Sequence, residues 1–159
     1  MGEVDLISKE IKRALKDVSE GKSRRLVKEI VDAKKINVIG HGRSWHVAKS
    51  FAMRLKHLGL DVGENNNDLT IVLSGSGETK DILKIVKKIK RGRIICITSS
   101  DESHIAKEAD LIIEIKAKKS KQPMRSLFEQ SALVYLDGIV IKLMKELKIT
   151  EKEMWKKHD

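Results

Sequence analysis

Aromatic side chains are nearly absent from this chain: two Phe, two Trp and one Tyr among 159 residues, or 3%. A core must therefore be built from aliphatic residues, and a surface that grips single strands by stacking bases on rings is not provided for. Cysteine occurs once, at Cys96, so no internal disulfide can form. Its place in the apolar run Ile94-Ile95-Cys96-Ile97 predicts a buried, inert thiol in a reducing compartment. No apolar run approaches the ~20 residues of a membrane-spanning helix. The opening residues, Met1-Gly2-Glu3-Val4-Asp5, are acidic and carry no apolar signal-peptide core, so a cytoplasmic location is expected. Proline also occurs once, at Pro123. No spacing of His, Cys and Asp suggests a metal site.

Positive charge, by contrast, is plentiful: 33 Lys and Arg against 23 Asp and Glu, a net +10. These cations are spread over every predicted helix and interleaved with acids, the pattern of solvated helix faces. A basic nucleic-acid binder stays open as an alternative, and a steep salt dependence of binding to random duplex is its signature. A positive field of this kind also draws in small anionic substrates.

Residues 69–79, Leu-Thr-Ile-Val-Leu-Ser-Gly-Ser-Gly-Glu-Thr, carry the clearest chemistry. An apolar strand runs into Ser74-Gly75-Ser76-Gly77, and a helical pattern begins at once behind it with Ile82, Leu83, Val86 and Ile89 on one face. A strand, tight turn and helix of this kind leave unpaired backbone N–H groups at a helix N-terminus, where the helix dipole favours an anion. Ser74, Ser76 and Thr79 add hydroxyl donors, and the glycines admit close approach. Neither the P-loop spacing nor the dinucleotide fingerprint is present. The turn is read as a phosphate site, with an ordinary strand-to-helix connection as the alternative.

Helical periodicity covers residues 4–19 and 23–33, then 44–58, 79–91, 103–108 and 126–147. Apolar strands are predicted at 36–39, 70–73, 93–98 and 111–115, and a further short one at 60–64. Only Asn65-Asn66-Asn67-Asp68 separates that last segment from residue 69, too little for a helical crossover, which needs about a dozen residues. Either a loop alone bridges neighbouring strands or a segment has been lost. Strands alternating with helices predict an α/β three-layer sandwich, a mainly parallel sheet of about five strands with helices on both faces. The chain reads as one domain: N-terminal helices to residue 34, sheet and crossovers over 35–117, C-terminal helices from 123. The helix at 126–147 is apolar over more than half its circumference, so it is either central or an oligomer contact. Thr150-Glu151-Lys152-Glu153 reads as a capping box opening a last helix. Parallel sheets bind ligands at the carboxyl ends of their strands, where Gly42-Arg43-Ser44, Ser74 to Thr79 and Thr98-Ser99-Ser100 all fall.

Those three segments together resemble the sugar isomerase (SIS) family, whose fold is flavodoxin-like. Phe51-Ala52-Met53-Arg54-Leu55-Lys56-His57-Leu58-Gly59, Ser126-Leu127-Phe128-Glu129-Gln130 and the ending Lys156-Lys157-His158 resemble its archaeal 6-phospho-3-hexuloisomerases. The resemblance implies interconversion of 3-hexulose 6-phosphate and fructose 6-phosphate with no metal or organic cofactor, in formaldehyde fixation (the ribulose monophosphate pathway) or ribulose 5-phosphate supply. It implies a phosphorylated sugar as the partner, with no nucleic acid and no membrane, and a homotetramer with active sites between subunits. Moving a carbonyl from C3 to C2 passes through an enediol, which needs a base for a carbon-bound proton. Glu129 is the candidate base, and His158 the candidate for proton transfer between oxygens. Gly42, Arg43, Ser44, Ser74, Ser76, Thr79 and Ser99 are the candidate phosphate and substrate ligands, Arg43 pairing either with phosphate or with a carboxylate across an interface.

Alternatives stand beside each. Ser126-x-x-Glu129 also reads as a capping box, the hydroxyls as helix N-caps, and His158 as a solvated tail residue. His41 reads as a lining residue, and His46, His57 and His104 as helix-surface residues. The family carries a longer segment between the equivalents of Gly63 and Leu69, and Trp45 and His46 are bulky where it often has a small residue. A noncatalytic SIS module that senses a sugar phosphate is the second functional reading.

Overall fold

The computed structural model describes residues 2–158. Two amphipathic helices come first, α1 at Glu3–Leu15 and α2 at Glu20–Asp32. They part earlier than the periodicity predicts because Ser19 leaves the helix and caps α2, its hydroxyl accepting the Lys22 N–H at 3.1 Å. Then strands and helices alternate: β1 Ile36–Gly40, α3 Arg43–His57, β2 Leu69–Leu73, α4 Lys80–Lys87, β3 Arg93–Thr98, α5 His104–Lys107 and β4 Leu111–Glu114. A one-turn 3-10 helix at Pro123–Arg125 leads into α6, Ser126–Leu147, and α7 follows at Glu151–Trp155. The capping box of α7 forms as read: Thr150 Oγ1 accepts the Glu153 N–H at 3.2 Å, and the Glu153 carboxylate accepts the Thr150 N–H at 2.7 Å.

The four strands form one parallel sheet in the order β1-β2-β3-β4. Side chains alternate across it with period two. Ile71, Leu73, Ile95 and Ile97 face a large cluster shared with Leu26, Ile30, Phe51, Leu55, Leu127 and Leu136. Val72, Ile94 and Cys96 face a smaller one with Ile82, Val86 and Ile105 from α4 and α5. Each fully buried aliphatic side chain contributes roughly 1.5–3 kcal/mol of hydrophobic stabilisation, which is how a chain with so few aromatics holds together. The Cys96 thiol has no exposure, and burial pushes its pKa up to about 12. The long α6 is central, packed against α1, α2 and α3, although Leu133, Val134 and Ile141 on its outer side stay exposed.

The predicted fifth strand does not form. Residues 60–64 make a single bridge, Val62 to Ile36, in which the Ile36 N–H donates to Asp61 O and the Gly63 N–H to Ile36 O, both at 2.9 Å. Ile36 is the first residue of β1, so the chain meets the sheet at its amino-terminal edge and turns away at once. Since β2 also starts at that edge, five residues reach it and no crossover is required. Asp68 fixes the entry. Its carboxylate accepts the Lys34 and Lys35 N–H groups at 3.0 and 2.8 Å, which hold its pKa below the usual carboxylate range. Ile36 turns its N–H and C=O outward, so by the alternation of a parallel ladder Val38 and Gly40 do the same, along an edge with no neighbouring strand.

Candidate functional site

The loops after β1, β2, β3 and β4 meet at the carboxyl end of the sheet, and the serine turn after β2 is tied at every step. The Ser74 N–H donates to Ile97 O at 3.1 Å and the Ser99 N–H to Gly75 O at 3.0 Å, so the turn continues the β2–β3 ladder past the strands. The Ser74 hydroxyl accepts the Gly77 N–H at 3.1 Å and shares a hydrogen bond with the Thr79 hydroxyl at 3.0 Å. Ser76 Oγ accepts the Glu78 N–H at 3.1 Å. Ser74 is buried and committed to the turn, whereas Ser76 is half-buried and faces open space. Thr79 occupies the N-cap position of α4 without making the capping bond.

Two glycines let the turn close. Gly75 lies flush against α6: a Cβ there would be 3.0 Å from the Phe128 ring. Gly77 has φ +67, and a Cβ would overlap the Ser103 side chain, while its carbonyl accepts the Ile105 N–H at 3.0 Å. Beyond it Glu78 reaches α5, where the His104 N–H and ring meet its two carboxylate oxygens at 3.1 and 2.7 Å. The backbone bond first, then the ring, lowers the Glu78 pKa. His104 is on a helix surface, as read, but engaged.

Between this turn and the chain leading into α6 is a cavity of about 340 Å³, lined by Gly75, Ser76, Glu78, Ser99, Ser100, Ala117, Lys118, Arg125 and Phe128. Ser99 is 7% exposed, and its hydroxyl has no hydrogen-bond partner among the described residues. A buried hydroxyl left without a partner is uncommon in a folded protein and is available to a ligand in the cavity.

Glu129 sits in the first turn of α6, one residue beyond Phe128. The capping-box alternative is not what forms. The Ser126 hydroxyl donates to Pro123 O at 2.7 Å and accepts from Arg43 Nη1 at 2.8 Å, and α6 has no side-chain cap. Glu129 is half-buried and does not line the cavity, and its Oε2 is buried with no hydrogen-bond partner among the described residues. Arg43 thus ties the start of α3 to the start of α6 and does not line the cavity. Gly42, at φ +60 and ψ −131, makes the turn into α3, and Ser44 is buried in its first turn.

His158 is not brought near Glu129 within one chain. Its ring packs 5.3 Å from that of His57 and 5.2 Å from that of Trp155, at the C-terminal end of α3 and hence at the opposite edge of the sheet from the serine turn. His57, read as a helix-surface residue, is 7% exposed, because α7 and the tail fold over it. His41 is exposed in the turn after β1 and does not line the cavity.

Sequence reasoning missed Lys118 and Arg125 on the cavity wall, and Glu10 behind it. Glu10, on α1, is 4% exposed and accepts from Ser120 Oγ, the Lys121 N–H and Gln122 Nε2 at 2.7 to 2.9 Å. Gln122 in turn accepts from Gln130 Nε2 at 2.7 Å. The Gln122 bond first, then Lys121 and Ser120, hold the Glu10 pKa down to about 2. Nothing local distinguishes Glu10 from the other acids of an amphipathic helix; only the loop folded onto it does. With an ordinary value of 4.5 in the unfolded chain, its contribution to stability is complete above about pH 4.5 and lost as pH falls toward 2. Glu10→Gln is therefore expected to lower the urea midpoint at pH 7, with the gap to the wild type closing below pH 4. A gap as wide at pH 2.5 as at pH 7 would contradict this.

Among the described residues no group of three His, Cys, Asp or Glu could hold a metal ion, and no helix is long and apolar enough to cross a membrane.

Residues 65–136 match the SIS domain. The chain is 38% identical to the 3-hexulose-6-phosphate isomerase of Methanocaldococcus jannaschii, over 98% of this chain and 95% of that one. Of the 172 aligned positions, this chain's 98% supplies about 156, so roughly 16 (172 minus 156) are absent from it. With the 3-hexulose-6-phosphate isomerase of Bacillus subtilis it shares 37%, over 89% and 87% of the two chains. A crystal structure from Methanococcus jannaschii, from which a 3-hexulose-6-phosphate isomerase function was inferred, superposes with a TM-score of 0.88 at 37% identity, covering 100% and 98%.

Proposed function

This chain belongs to the 3-hexulose-6-phosphate isomerase family of SIS-domain proteins, and we propose that it interconverts 3-hexulose 6-phosphate and fructose 6-phosphate, with Glu129 as the base. We read the whole chain as one SIS domain working in the cytoplasm. The observation that carries the assignment of roles is the pairing of an anion-ready serine turn with an unpartnered, buried carboxylate oxygen at the start of the helix packed against it.

The phosphate rests on the serine turn. Amides at the N-terminus of α4 face it, with the Ser76 and Ser99 hydroxyls as donors. Ser74 and Thr79 shape the turn, and Gly42, Arg43 and Ser44 act by holding the neighbouring α3 and α6 in place. Glu129 removes the proton from C2 of 3-hexulose 6-phosphate. The electron pair forms the C2=C3 double bond of the enediolate, and the former C3 carbonyl oxygen takes the charge. Transfer of the C2 hydroxyl proton to the C3 oxygen, with return of the carbon-bound proton from Glu129 to C3, gives the C2 ketone and the C3 hydroxyl. A carboxylate oxygen with no competing donor is open to take up a carbon-bound proton.

His158 has a part in this scheme only if a second chain supplies it, so the reading includes a homotetramer with composite sites. Following fructose 6-phosphate from 3-hexulose 6-phosphate tests the activity, and no turnover by the wild type would sink it. Mixing inactive Glu129→Gln and His158→Gln chains tests the composite site. Exchange of subunits should restore part of the activity, and a mixture as dead as its components would remove His158 from the scheme.

A further inference from the structure

We propose that Arg125, seconded by Lys118, closes over the substrate phosphate from the side opposite the serine turn and is a phosphate-binding residue of this site. The proposal rests on reading the cavity as the sugar-phosphate site.

Three independent features point there. The first is backbone conformation. Met124 and Arg125 both lie in the left-handed region, at φ 58, ψ 27 and φ 62, ψ 25, which costs free energy at any residue with a Cβ. This double turn throws Met124 out into solvent, 88% exposed, and sets Arg125 on the cavity wall. It is fastened on both sides: downstream by Ser126 bonding Pro123 O and Arg43, upstream by Gln122 on the Glu10 carboxylate.

The second is charge. Arg125 and Lys118 line the cavity, and neither side chain makes a hydrogen bond or ion pair with another described residue. Glu78, the one acid on the same wall, has both oxygens taken by His104. The wall that lines the cavity thus holds two uncommitted cations and no uncommitted acid, Glu129 standing outside that lining.

The third is Ser99, more than nine-tenths buried, lining the same cavity with a hydroxyl that has no partner. A dianion on the turn satisfies all three at once. The guanidinium fork suits phosphate oxygens because it offers two parallel N–H donors, and a neutral sugar hydroxyl would leave its charge unanswered.

Arg125→Gly is the informative variant, because glycine accepts φ 62 without strain, so the fold should be at least as stable as the wild type. Binding of inorganic phosphate, measured by titration calorimetry, should weaken about 10- to 100-fold, the range for losing a charge-assisted bidentate contact. KM for 3-hexulose 6-phosphate should rise in parallel with kcat within about threefold, and Arg125→Lys should recover part of the loss. Unchanged phosphate affinity in Arg125→Gly would overturn the proposal, and so would a fall in kcat at constant KM, which would put the guanidinium at the reacting carbons. Phosphate binding that depends on Arg125 in a wild-type protein without turnover would support the clamp while sinking the isomerase.

Discussion

Glu129→Gln should lower kcat for 3-hexulose 6-phosphate by about 10²- to 10⁴-fold, the usual contribution of a positioned general base, with KM changed only several-fold. The amide keeps the shape of the side chain and removes the electron pair that takes the carbon-bound proton. The carboxylate has one buried oxygen without a hydrogen-bond partner, so the substitution forfeits no bond there and should not lower thermal stability. Two measurements decide the role. Washout of deuterium from C2-labelled substrate into water should vanish with turnover, and the melting temperature should hold. Undiminished turnover would remove Glu129 as the base. A drop in stability of more than about 1 kcal/mol would mean that it serves the fold, as a residue whose hydrogen bond matters would.

Gly77→Ala should be strongly destabilising. The residue sits at φ +67, and the added Cβ would collide with Ser103. A left-handed alanine costs about 1–2 kcal/mol, and forcing the contact adds about 1–3 kcal/mol as the neighbour moves. Ser103 has no easy retreat, since its hydroxyl accepts the Ala106 N–H at 3.3 Å and caps α5. A loss of roughly 2–5 kcal/mol is expected in urea unfolding. With it should come a weakening of phosphate binding, because the Gly77 N–H to Ser74 bond that shapes the turn is broken. Adding Ser103→Gly should return the collision part and leave the backbone part. Full stability in the single variant would show that the turn relaxes freely and does not preorganise an anion site.

Much of this architecture is legible in the chain because its causes are local. Ile94-Ile95-Cys96-Ile97 has to be a strand buried on both faces, and Ser74-Gly75-Ser76-Gly77 between an apolar strand and an amphipathic helix has to be a turn offering amides. The position of the site at the carboxyl edge follows from the parallel sheet. Elsewhere local pattern misleads. Residues 60–64 look like a strand, but a strand needs a partner along its length, and this one leaves the sheet after Val62. His57 has the spacing of a surface residue, and its burial comes from a tail about a hundred positions away. Ser126 and Glu129 have capping spacing, yet Arg43 and Pro123 claim the serine instead.

By itself the sequence determined the layered α/β class, the glycine-serine turn between β2 and α4 and the family, since these rest on periodicity and on short motifs whose hydrogen bonds close within a few residues. Only the tertiary structure decided which polar groups remain unspent. That Ser74 is committed and Ser99 free, that Glu10 anchors the strap carrying Lys118, and that Arg125 stands uncommitted over the cavity depend on partners far away in the chain. The physical reason is that a hydroxyl, carboxylate or guanidinium has the same chemistry wherever it occurs, and its availability to a ligand is set by the competing donors and acceptors that folding places around it.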